Sequence, residues 1–340
     1  MKKLLFLLVP FLLLTSCKKE NDNVLYVFNW GEYMDMDLID EFEQETGIEV
    51  IYDTFVQNED MYMKVKEGGG NYDVLFPSDY MIERMVSEDM LLPIDTSKIE
   101  NFKYIDDEFK NLDYDPNSKH SIPYMWGTVG ILYNDKYVDK PDSWNELWDP
   151  KYKDEIIMMD STRDSIGVAL LRRGYSLNSR DVGELNKSRE DLIKQKDLVL
   201  AYMVDETKSL MVNEEAWISL MYSGEALTSI QENSDLKYTI PKEGTNIWFD
   251  SMVISKKSKN VENAYKFINF LLDPNVMAQN GEYTGASVPE TKAKEILNPD
   301  EITNEISYPD LSKISHLEIY KNPMDFVEVY DDIWADVKAH

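Results

Sequence analysis

The stretch from Val24 to Tyr80 alternates between strand-like and helix-like patterns, and this alternation restricts the chain to a small set of folds. It begins with VLYVFNW, continues with apolar residues at helical spacing at Leu38, Ile39 and Phe42, and passes after Gly47 into the alternating run IEVIYDTF. The pattern predicts a strand, a helix that ends at Gly47, and a second strand. Strands that alternate with helices favour an α/β fold with mostly parallel strands.

A second unit of the same kind follows the first. Met61 to Glu67 has a helical pattern, GGGN is typical of a turn, and Tyr72 to Phe76 forms an apolar run that ends in PSDY. The glycine run lacks the following Lys and Ser or Thr of a phosphate-binding loop, so we interpret it as a turn only. Ligands of parallel sheets bind beyond the carboxyl ends of the strands. FNWGEY and PSDY both lie at such ends.

The later part of the chain predicts two further transitions. SIPYMWGTVGILYN starts a strand-rich segment, Lys140 to Asp149 suggests a short helix closed by Pro150, and Val261 to Leu272 has the pattern of an amphipathic helix. We place lobe boundaries near Tyr124 and Asp250. Each lobe is then discontinuous, with residues 24–124 and 251–293 in the first lobe and residues 125–250 and 294–340 in the second.

The first residues, MKKLLFLLVPFLLLTSC, have a basic start and an apolar run too short to span a bilayer. This layout is typical of a secretory signal peptide, here residues 1–16. Leu14-Thr15-Ser16-Cys17 resembles a bacterial lipobox, which predicts that Cys17 is lipidated and that residues 17–23 form a tether. We therefore expect a protein anchored by lipid to a bacterial membrane, facing the periplasm or the cell exterior. Because Cys17 is the only cysteine, no internal disulfide can form.

The charge of the chain is strongly negative. It is −29 at neutral pH, and removal of Lys2 and Lys3 with the signal peptide makes it −31. Such a surface repels nucleic acid and anionic lipid headgroups and favours cationic partners. The alternative is that the acidity serves solubility alone.

Few residues offer enzymatic chemistry. The histidines are His120, His316 and His340, and none belongs to a hydrolase or zinc-binding motif. We expect neither a metal nor another cofactor. Asp160 and Asp164 could act as a glycosidase carboxylate pair, but their spacing equally fits the start of a helix capped by Ser161 or Thr162.

A different pattern recurs at the predicted strand ends, where acids lie beside aromatic residues. The positions are Trp30, Glu32 and Tyr33; Ser78, Asp79 and Tyr80; Tyr222; and Trp248 with Asp250. Aromatic faces attract ammonium groups, and carboxylates bind them through charge-assisted hydrogen bonds. The pattern favours an amine ligand whose methylene groups lie along the rings.

On these motifs the chain resembles the spermidine/putrescine-binding proteins, the solute receptors of polyamine ABC importers. The resemblance runs from about Val24 to the C-terminus and rests on NWGEY, YDVLFPSDYMIERM, SIPYMWGT, SWNELWDPKYKDEI, MMDSTRD, WFDSMVI and AYKFINFLLDP. It implies a periplasmic-binding-protein fold, with two α/β lobes joined by crossover strands that close around the ligand. It also implies a receptor that performs no covalent chemistry and delivers its ligand to a permease. The sequence itself is silent on the oligomeric state, for which a monomer is the default expectation.

The resemblance also implies site residues. The ligand-binding positions are Trp30, Tyr33, Ser78, Tyr80, Asp164, Tyr222, Trp248 and Asp250. A second group of candidates comprises Gly31, Glu32, Asp79, Ser161, Ala286 and Tyr320. By this analogy Trp30 and Trp248 enclose the methylene chain, while Asp164 and Asp250 neutralise ammonium groups.

Several positions depart from the family pattern. Ser161 stands where a second Asp is usual, Tyr222 replaces a Trp, Ala286 replaces a Tyr, and Tyr320 falls where a Gln is found. Asp79 and Glu32 are the alternatives for the missing charge. The choice between spermidine and putrescine stays open at this point. A sugar, an anion or ferric iron in the same fold are rival ligands, of which a sugar fits best, and a secreted hydrolase using Asp160 and Asp164 is the remote alternative.

Overall fold

The computed structural model of the chain describes residues 23–298 and 304–340. The predicted signal peptide and Cys17, the predicted lipidation site, lie outside these residues. Within the described ranges, none of the helices combines the length and the apolar character that crossing a membrane requires.

The strands form one mixed sheet. They are β1 (Val24–Trp30), β2 (Glu49–Phe55), β3 (Val74–Leu75), β4 (Ser121–Asn134), β5 (Ile156–Met159), β6 (Val199–Met203), β7 (Ile218–Tyr222), β8 (Leu236–Thr239), β9 (Thr245–Ile254) and β10 (Leu317–Glu318). Their hydrogen-bonded order is β2-β1-β3-β9-β4-β7-β5-β6, with β8 paired to β4 and β10 to β9. The predicted α/β class is confirmed.

Parallel pairing predominates at the two ends of this sheet and antiparallel pairing in its middle, apart from β10, which pairs in parallel with β9. Strand β1 pairs in parallel with β2 and β3 at one end, and β5 pairs in parallel with β6 and β7 at the other. The central pairs of β9 with β3 and β4, and of β4 with β7 and β8, are antiparallel. The sheet is therefore mixed, with its antiparallel pairs concentrated in the middle.

The long strands β4 and β9 connect the two ends of the sheet. They pair from Ser121 with Val253 to Thr128 with Ile247, with an irregularity between Pro123 and Met125. Every residue of both strands is buried. The predicted lobe boundaries at Tyr124 and Asp250 fall inside this pair, and the division into two lobes stays a prediction.

Helices pack against the sheet and against one another. They are α1 (Met36–Thr46), α2 (Asn58–Glu67), α3 (Asp79–Ser87), α4 (Thr162–Leu171), α5 (Val182–Gln195), α6 (Thr207–Val212), α7 (Ser223–Glu232), α8 (Val261–Leu271), α9 (Pro274–Thr284), α10 (Thr291–Lys294) and α11 (Val327–Ala339). Helix α8 contacts β1, α7 contacts β4, and α11 packs on α4 and α5.

The first strand–helix–strand unit forms as its pattern predicts. Helix α1 buries Leu38, Ile39 and Phe42, and the Asp35 carboxylate caps its first turn by accepting a hydrogen bond from the backbone N–H of Asp37. The helix ends at Gly47, whose φ of 68° lies in the left-handed region that glycine tolerates best. The predicted helix end is confirmed.

Three predicted elements differ in detail. Strand β3 contains only Val74–Leu75, and just before it the Asp73 carboxylate accepts hydrogen bonds from the N–H of Tyr26 and the hydroxyl of Ser258. Helix α2 begins at Asn58 rather than at the predicted Met61. The predicted helix before Pro150 is a pair of short 3₁₀ turns, and Pro150 begins the second turn instead of closing the first, a position where proline loses no hydrogen bond.

Candidate functional site

A cavity of about 360 Å³ lies where β1, β5 and β7 end and where β9 passes between them. Its volume falls in the range of small-molecule binding sites. All of the residues that the sequence predicted to bind the ligand, including the second group of candidates, line this cavity. They are Trp30, Gly31, Glu32, Tyr33, Ser78, Asp79, Tyr80, Ser161, Asp164, Tyr222, Trp248, Asp250, Ala286 and Tyr320.

Trp248 and Asp250 reach the cavity from an unexpected place. The sequence placed them at the end of a strand, but they lie in the middle of β9. The error comes from the length of β9, which continues through the cavity to Ile254. Both side chains still line the cavity because the strand crosses it.

Sequence reasoning missed further side chains of the same cavity. They are Val56, Gln57, Asn58, Glu59, Arg163, Val204, Asp205, Lys208, Gly224, Glu225, Thr228, Asn246, Tyr283 and Thr284, together with Asp160, which was considered only as a catalyst. Asp205 follows β6 and Glu225 follows β7, so the rule that ligands bind beyond parallel strand ends would have identified both.

The two tryptophans of the cavity are anchored to backbone carbonyls. The indole N–H of Trp30 donates to the carbonyl of Phe76 at 2.8 Å, and its ring packs on Phe55 with centroids 4.5 Å apart. The indole N–H of Trp248 donates to the carbonyl of Thr128 at 3.3 Å. These bonds fix how the indole rings are oriented in the cavity wall.

Gly127 on β4 permits the position of Trp248. A Cβ atom at residue 127 would lie 2.5 Å from Cζ2 of Trp248 and 2.7 Å from Oγ of Ser223. Real side chains do not approach so closely, so any substitution of Gly127 displaces the indole.

Asp250 is the buried acid of the cavity that lacks a full set of partners. Its side chain is 7% exposed, and its Oδ1 accepts no hydrogen bond from the described residues. Burial raises the pKa of Asp250 to about 7, and the charge of Asp164 adds to the rise, while the hydroxyls of Ser78 and Tyr33 oppose it. A buried carboxylate in this state is stabilised by any cation that enters.

Asp164 already has donors from the protein. Its Oδ2 accepts hydrogen bonds from the hydroxyl of Ser161 at 2.5 Å and from the hydroxyl of Tyr222 at 2.7 Å. Burial raises its pKa, and these two hydroxyls and the charge of Arg163 oppose the rise. Ser161 is also the N-cap of α4, because its Oγ accepts from the backbone N–H of Asp164. The predicted helix start is confirmed.

The carboxylate of Asp160 is hydrogen-bonded to side chains other than Asp164, its candidate catalytic partner. Its Oδ1 accepts from Lys338 Nζ at 3.0 Å and from the indole N–H of Trp334 at 3.3 Å. Both donors lie on α11, so Asp160 connects that helix to the end of β5. A carboxylate pair needs both acids free to face a substrate.

The carboxylate of Asp79 is hydrogen-bonded to backbone N–H groups. Its side chain is fully buried, and its oxygens accept from the N–H of Tyr80 at 2.7 Å and the N–H of Phe249 at 3.1 Å. Burial raises its pKa well above the ordinary value. Asp79 therefore connects α3 to β9. Asp79 and Glu32 are the two alternatives for the missing negative charge, and Asp79 is the one whose oxygens already accept hydrogen bonds from the protein.

A buried arginine of the cavity lies among three aromatic rings. Arg163 is 4% exposed, and its guanidinium lies 5.4, 4.7 and 4.8 Å from the ring centroids of Tyr80, Tyr320 and Tyr330. The hydroxyl of Tyr320 donates to the Arg163 carbonyl at 2.9 Å. Cation–π contacts hold this charge in place, so these faces of Tyr80 and Tyr320 are already occupied by a cation.

The hydroxyl of Tyr80 has two neighbours of its own. It donates to Oε1 of Glu59 at 3.0 Å and accepts from the side-chain amide of Asn58 at 3.1 Å. The same amide of Asn58 donates to the hydroxyl of Ser78 at 3.1 Å. Asn58 and Glu59, which open α2, thus position two predicted ligand-binding side chains.

In residues 23–298 and 304–340, no group of three or more His, Cys, Asp or Glu side chains is arranged to hold a metal ion.

Comparison with known proteins gives consistent matches. Residues 37–309 match the family model of bacterial extracellular solute-binding proteins. The spermidine/putrescine-binding periplasmic protein of Salmonella typhimurium is 35% identical over 329 residues, which cover 96% of this chain and 94% of that protein. A Listeria monocytogenes protein provisionally assigned to a spermidine/putrescine ABC transporter has a similar structure, with a TM-score of 0.90 and 44% identity, covering 93% of this chain and 99% of that chain. A lipoprotein of Treponema pallidum matches with a TM-score of 0.83 and 26% identity, covering 93% of this chain and 100% of that chain.

Proposed function

The chain belongs to the family of bacterial extracellular solute-binding proteins, and from this premise we propose that it captures a polyamine, spermidine or putrescine, and delivers it to the permease of an ABC importer. The Salmonella relative is named for these two ligands. The acids and aromatic rings of the cavity fit the ammonium groups and the methylene chain of such a molecule.

The observation that supports this proposal most directly is the carboxylate of Asp250. It is buried in the cavity, and its Oδ1 has no donor among the described residues. Leaving such a group unpaired is costly, and an ammonium group provides both the opposite charge and the hydrogen bonds. A neutral sugar would provide hydrogen bonds without the charge.

We further propose that ligand binding favours a closed arrangement of two lobes. Trp30, Ser78 and Tyr80 come from the first predicted lobe, whereas Asp164 and Tyr222 come from the second. A ligand shifts a conformational equilibrium only through contacts that differ between its states. A polyamine that touches residues of both lobes meets this requirement, and the permease would recognise the closed state.

The same proposal includes a membrane anchor and a single working chain. Cys17 would be acylated, so that the receptor stays at the outer face of the membrane near its permease. The description of the Treponema pallidum relative as a lipoprotein supports this. We expect a monomer that returns its ligand unchanged, as the names of the relatives denote binding and transport rather than catalysis.

The test is calorimetric titration of the full mature chain in detergent, after copurified ligand has been removed by unfolding and refolding. Putrescine, spermidine and glucose are titrated in turn. We expect one-to-one binding of at least one polyamine and no binding of glucose. A folded protein that binds neither polyamine would overturn the proposal.

A further inference from the structure

A short segment of the second predicted lobe reaches across to the first. It comprises Tyr320, Lys321 and Asn322, which we call the strap, and it lies between β10 and α11. The backbone N–H of Asn322 donates to Oε2 of Glu83 on α3 at 2.7 Å. Glu83 belongs to the first predicted lobe, so this hydrogen bond joins the two lobes.

The backbone of the strap is held on its own lobe. The side-chain oxygen of Asn178 accepts from the N–H of Lys321 at 2.8 Å. The guanidinium of Arg163 donates to the carbonyl of Lys321 at 3.2 Å and to the same oxygen of Asn178 at 3.0 Å. The carbonyl of Lys321 and the N–H of Asn322 belong to one planar peptide group, so Arg163 fixes the direction in which that N–H points.

Aromatic and charged contacts cross between the lobes at the same place. The rings of Tyr80 on α3 and Tyr320 meet edge to face, with centroids 6.2 Å apart, and the guanidinium of Arg163 lies over both. Burial raises the pKa values of Glu59 and Asp79, and the charge of Arg163 is one of the causes that oppose both rises. Arg163 belongs to the second lobe and is therefore attracted to two acids of the first.

The contact between Glu83 and Asn322 lies outside the cavity. A different bond between the lobes, from the side-chain amide of Gln57 to the carbonyl of Asp160 at 2.9 Å, joins two residues that line the cavity. Glu83 and Asn322 are half-buried, and neither of them lines it. A ligand in the cavity therefore does not touch the bond between Glu83 and Asn322.

A contact of this kind acts on the affinity for every ligand alike. If it exists only in the closed state, it favours that state whichever ligand the cavity holds. Because apparent affinity scales with the population of the state that holds the ligand, loss of the contact weakens the binding of every ligand by the same factor. The lobes must separate before a ligand leaves, so the loss appears in the dissociation rate.

We propose that the strap and Glu83 form a clasp, which holds the two lobes together from outside the cavity and sets how long a bound ligand is retained. Glu83 is a positioning residue in this clasp, because it touches the strap and not the ligand. The inference rests on the proposed function, since it requires a receptor that opens and closes around its ligand.

An ordinary structural role is the competing explanation. In that case the hydrogen bond between Glu83 and Asn322 contributes to the stability of the fold whether or not a ligand is bound. Its loss would then lower the resistance of the ligand-free protein to urea and leave the dissociation rate unchanged.

The experiment compares the full mature chain in detergent with Glu83→Ala, which removes the acceptor of the strap. Glu83→Gln keeps an acceptor oxygen without the charge. Glu41→Ala is the matched control, because Glu41 is exposed, lies on α1 of the same predicted lobe and does not line the cavity. Association and dissociation rates of putrescine and spermidine are measured by stopped flow, with the fluorescence of the tryptophans in the cavity wall as the signal. Urea denaturation of each ligand-free protein measures stability separately.

We expect E83A to release each polyamine that the wild type binds roughly three to ten times faster, with factors for the two ligands that agree within about twofold. Association rates should change by less than about twofold, and E41A should match the wild type in both rates. E83Q should release its ligands more slowly than E83A, because its amide oxygen still accepts from the strap. The urea midpoint of ligand-free E83A should equal that of the ligand-free wild type, since the clasp is open in that state. Should E83A fail to fold, Glu83→Asp, whose shorter side chain withdraws the acceptor, should show the same acceleration.

Two results would overturn the inference. One is a dissociation rate of E83A equal to that of the wild type, which a lower urea midpoint would assign to the structural role. The other is an acceleration for only one of two polyamines that both bind, which would mean that Glu83 acts on the ligand. If the folded wild type binds neither polyamine, the proposed function itself is wrong, whereas either of these results in a receptor that binds polyamines overturns this inference alone.

Discussion

Two groups of acids line the same cavity in different states. Asp79 and Asp164 accept hydrogen bonds from backbone N–H groups or from hydroxyls of the protein. Asp250 keeps an oxygen without a donor among the described residues, and the carboxylate of Glu225, which lines the same cavity, accepts no hydrogen bond from the described residues. The comparison teaches that lining a cavity does not make an acid a ligand-binding group, since Asp79, whose two oxygens both accept hydrogen bonds from backbone N–H groups, has little capacity left for a ligand.

The largest loss of polyamine affinity should come from substitution of Asp250, whose Oδ1 lacks a hydrogen-bond donor among the described residues. Asp250→Asn keeps the shape of the side chain but removes the charge, so an ammonium group bound there would be left unpaired. We expect polyamine affinity to fall by roughly 2 to 4 kcal/mol, measured by calorimetric titration.

Asp160→Asn is the control for this variant. Asp160 lines the cavity but is bonded to Lys338 and Trp334, so its loss should change affinity by less than about threefold. Equal losses in the two variants would mean that only the overall negative charge matters, and the distinction between the two groups of acids would be wrong.

The pH dependence of binding follows from the pKa of Asp250, which burial raises to about 7. A polyamine binds the ionised carboxylate, so affinity should fall as the pH drops below this value, by about tenfold per pH unit for one linked proton. Titrations at a series of pH values measure the slope, and D250N should show a shallower one. Equal slopes would exclude Asp250 as the linked group.

The raised pKa of Asp250 also makes the stability of the ligand-free protein depend on pH. The direction is opposite to that of ligand affinity, because stability falls as the pH rises. A folded-state pKa raised above the ordinary 3.8 means that the folded chain binds more protons than the unfolded chain between that value and about 7. The contribution of Asp250 to stability is therefore lost as the pH rises through this window. Thermal unfolding of empty wild type and D250N should diverge most near neutral pH, with the variant the more stable.

Asp79 should show the reverse pattern, a loss of stability with little loss of binding. Asn at this position cannot accept hydrogen bonds with both terminal atoms, so one of the N–H groups of Tyr80 and Phe249 loses its acceptor. We expect Asp79→Asn to lower the free energy of unfolding by about 1 to 3 kcal/mol, measured by urea denaturation. A large loss of affinity at full stability would instead place Asp79 among the ligand-binding acids.

The smallest effect concerns the cap of α4. Ser161→Ala removes the Oγ that accepts from the N–H of Asp164, and should cost about 0.5 to 2 kcal/mol of stability. Ser161→Asn retains a capping oxygen and should keep most of that stability. If the two variants unfold alike, the cap has no measurable role.

Much of the cavity could be predicted because strand ends are visible in local sequence patterns. Trp30 and Tyr222 close apolar runs that form β1 and β7, and the neighbouring residues then fall at the edge where ligands of parallel strands bind. Glu225 lies three residues beyond Tyr222, so the rule that ligands bind beyond the ends of parallel strands also applies to it. Glu225 stands in SGEA with no aromatic residue directly beside it, so the pairing of acids with aromatic residues does not reveal it.

Arg163 could not be predicted in this way. It stands in the helical start STRD, where a basic residue is ordinarily exposed to solvent. Its burial depends on Tyr320, whose hydroxyl contacts the Arg163 carbonyl across 157 residues of sequence, and on Tyr330. Periodicity describes neighbours along the chain and carries no information on such distant partners.

The central pair of strands has a consequence for how quickly the molecule can form. Val129 on β4 and Thr245 on β9, joined by a side-chain hydrogen bond, are 116 residues apart in sequence. Contacts of such high sequence separation require a large loop to close before they give any stabilisation, and chains dominated by them fold slowly. We therefore expect the pairing of β4 with β9 to be a late kinetic step, so the cavity around Asp250 would be completed only near the end of folding.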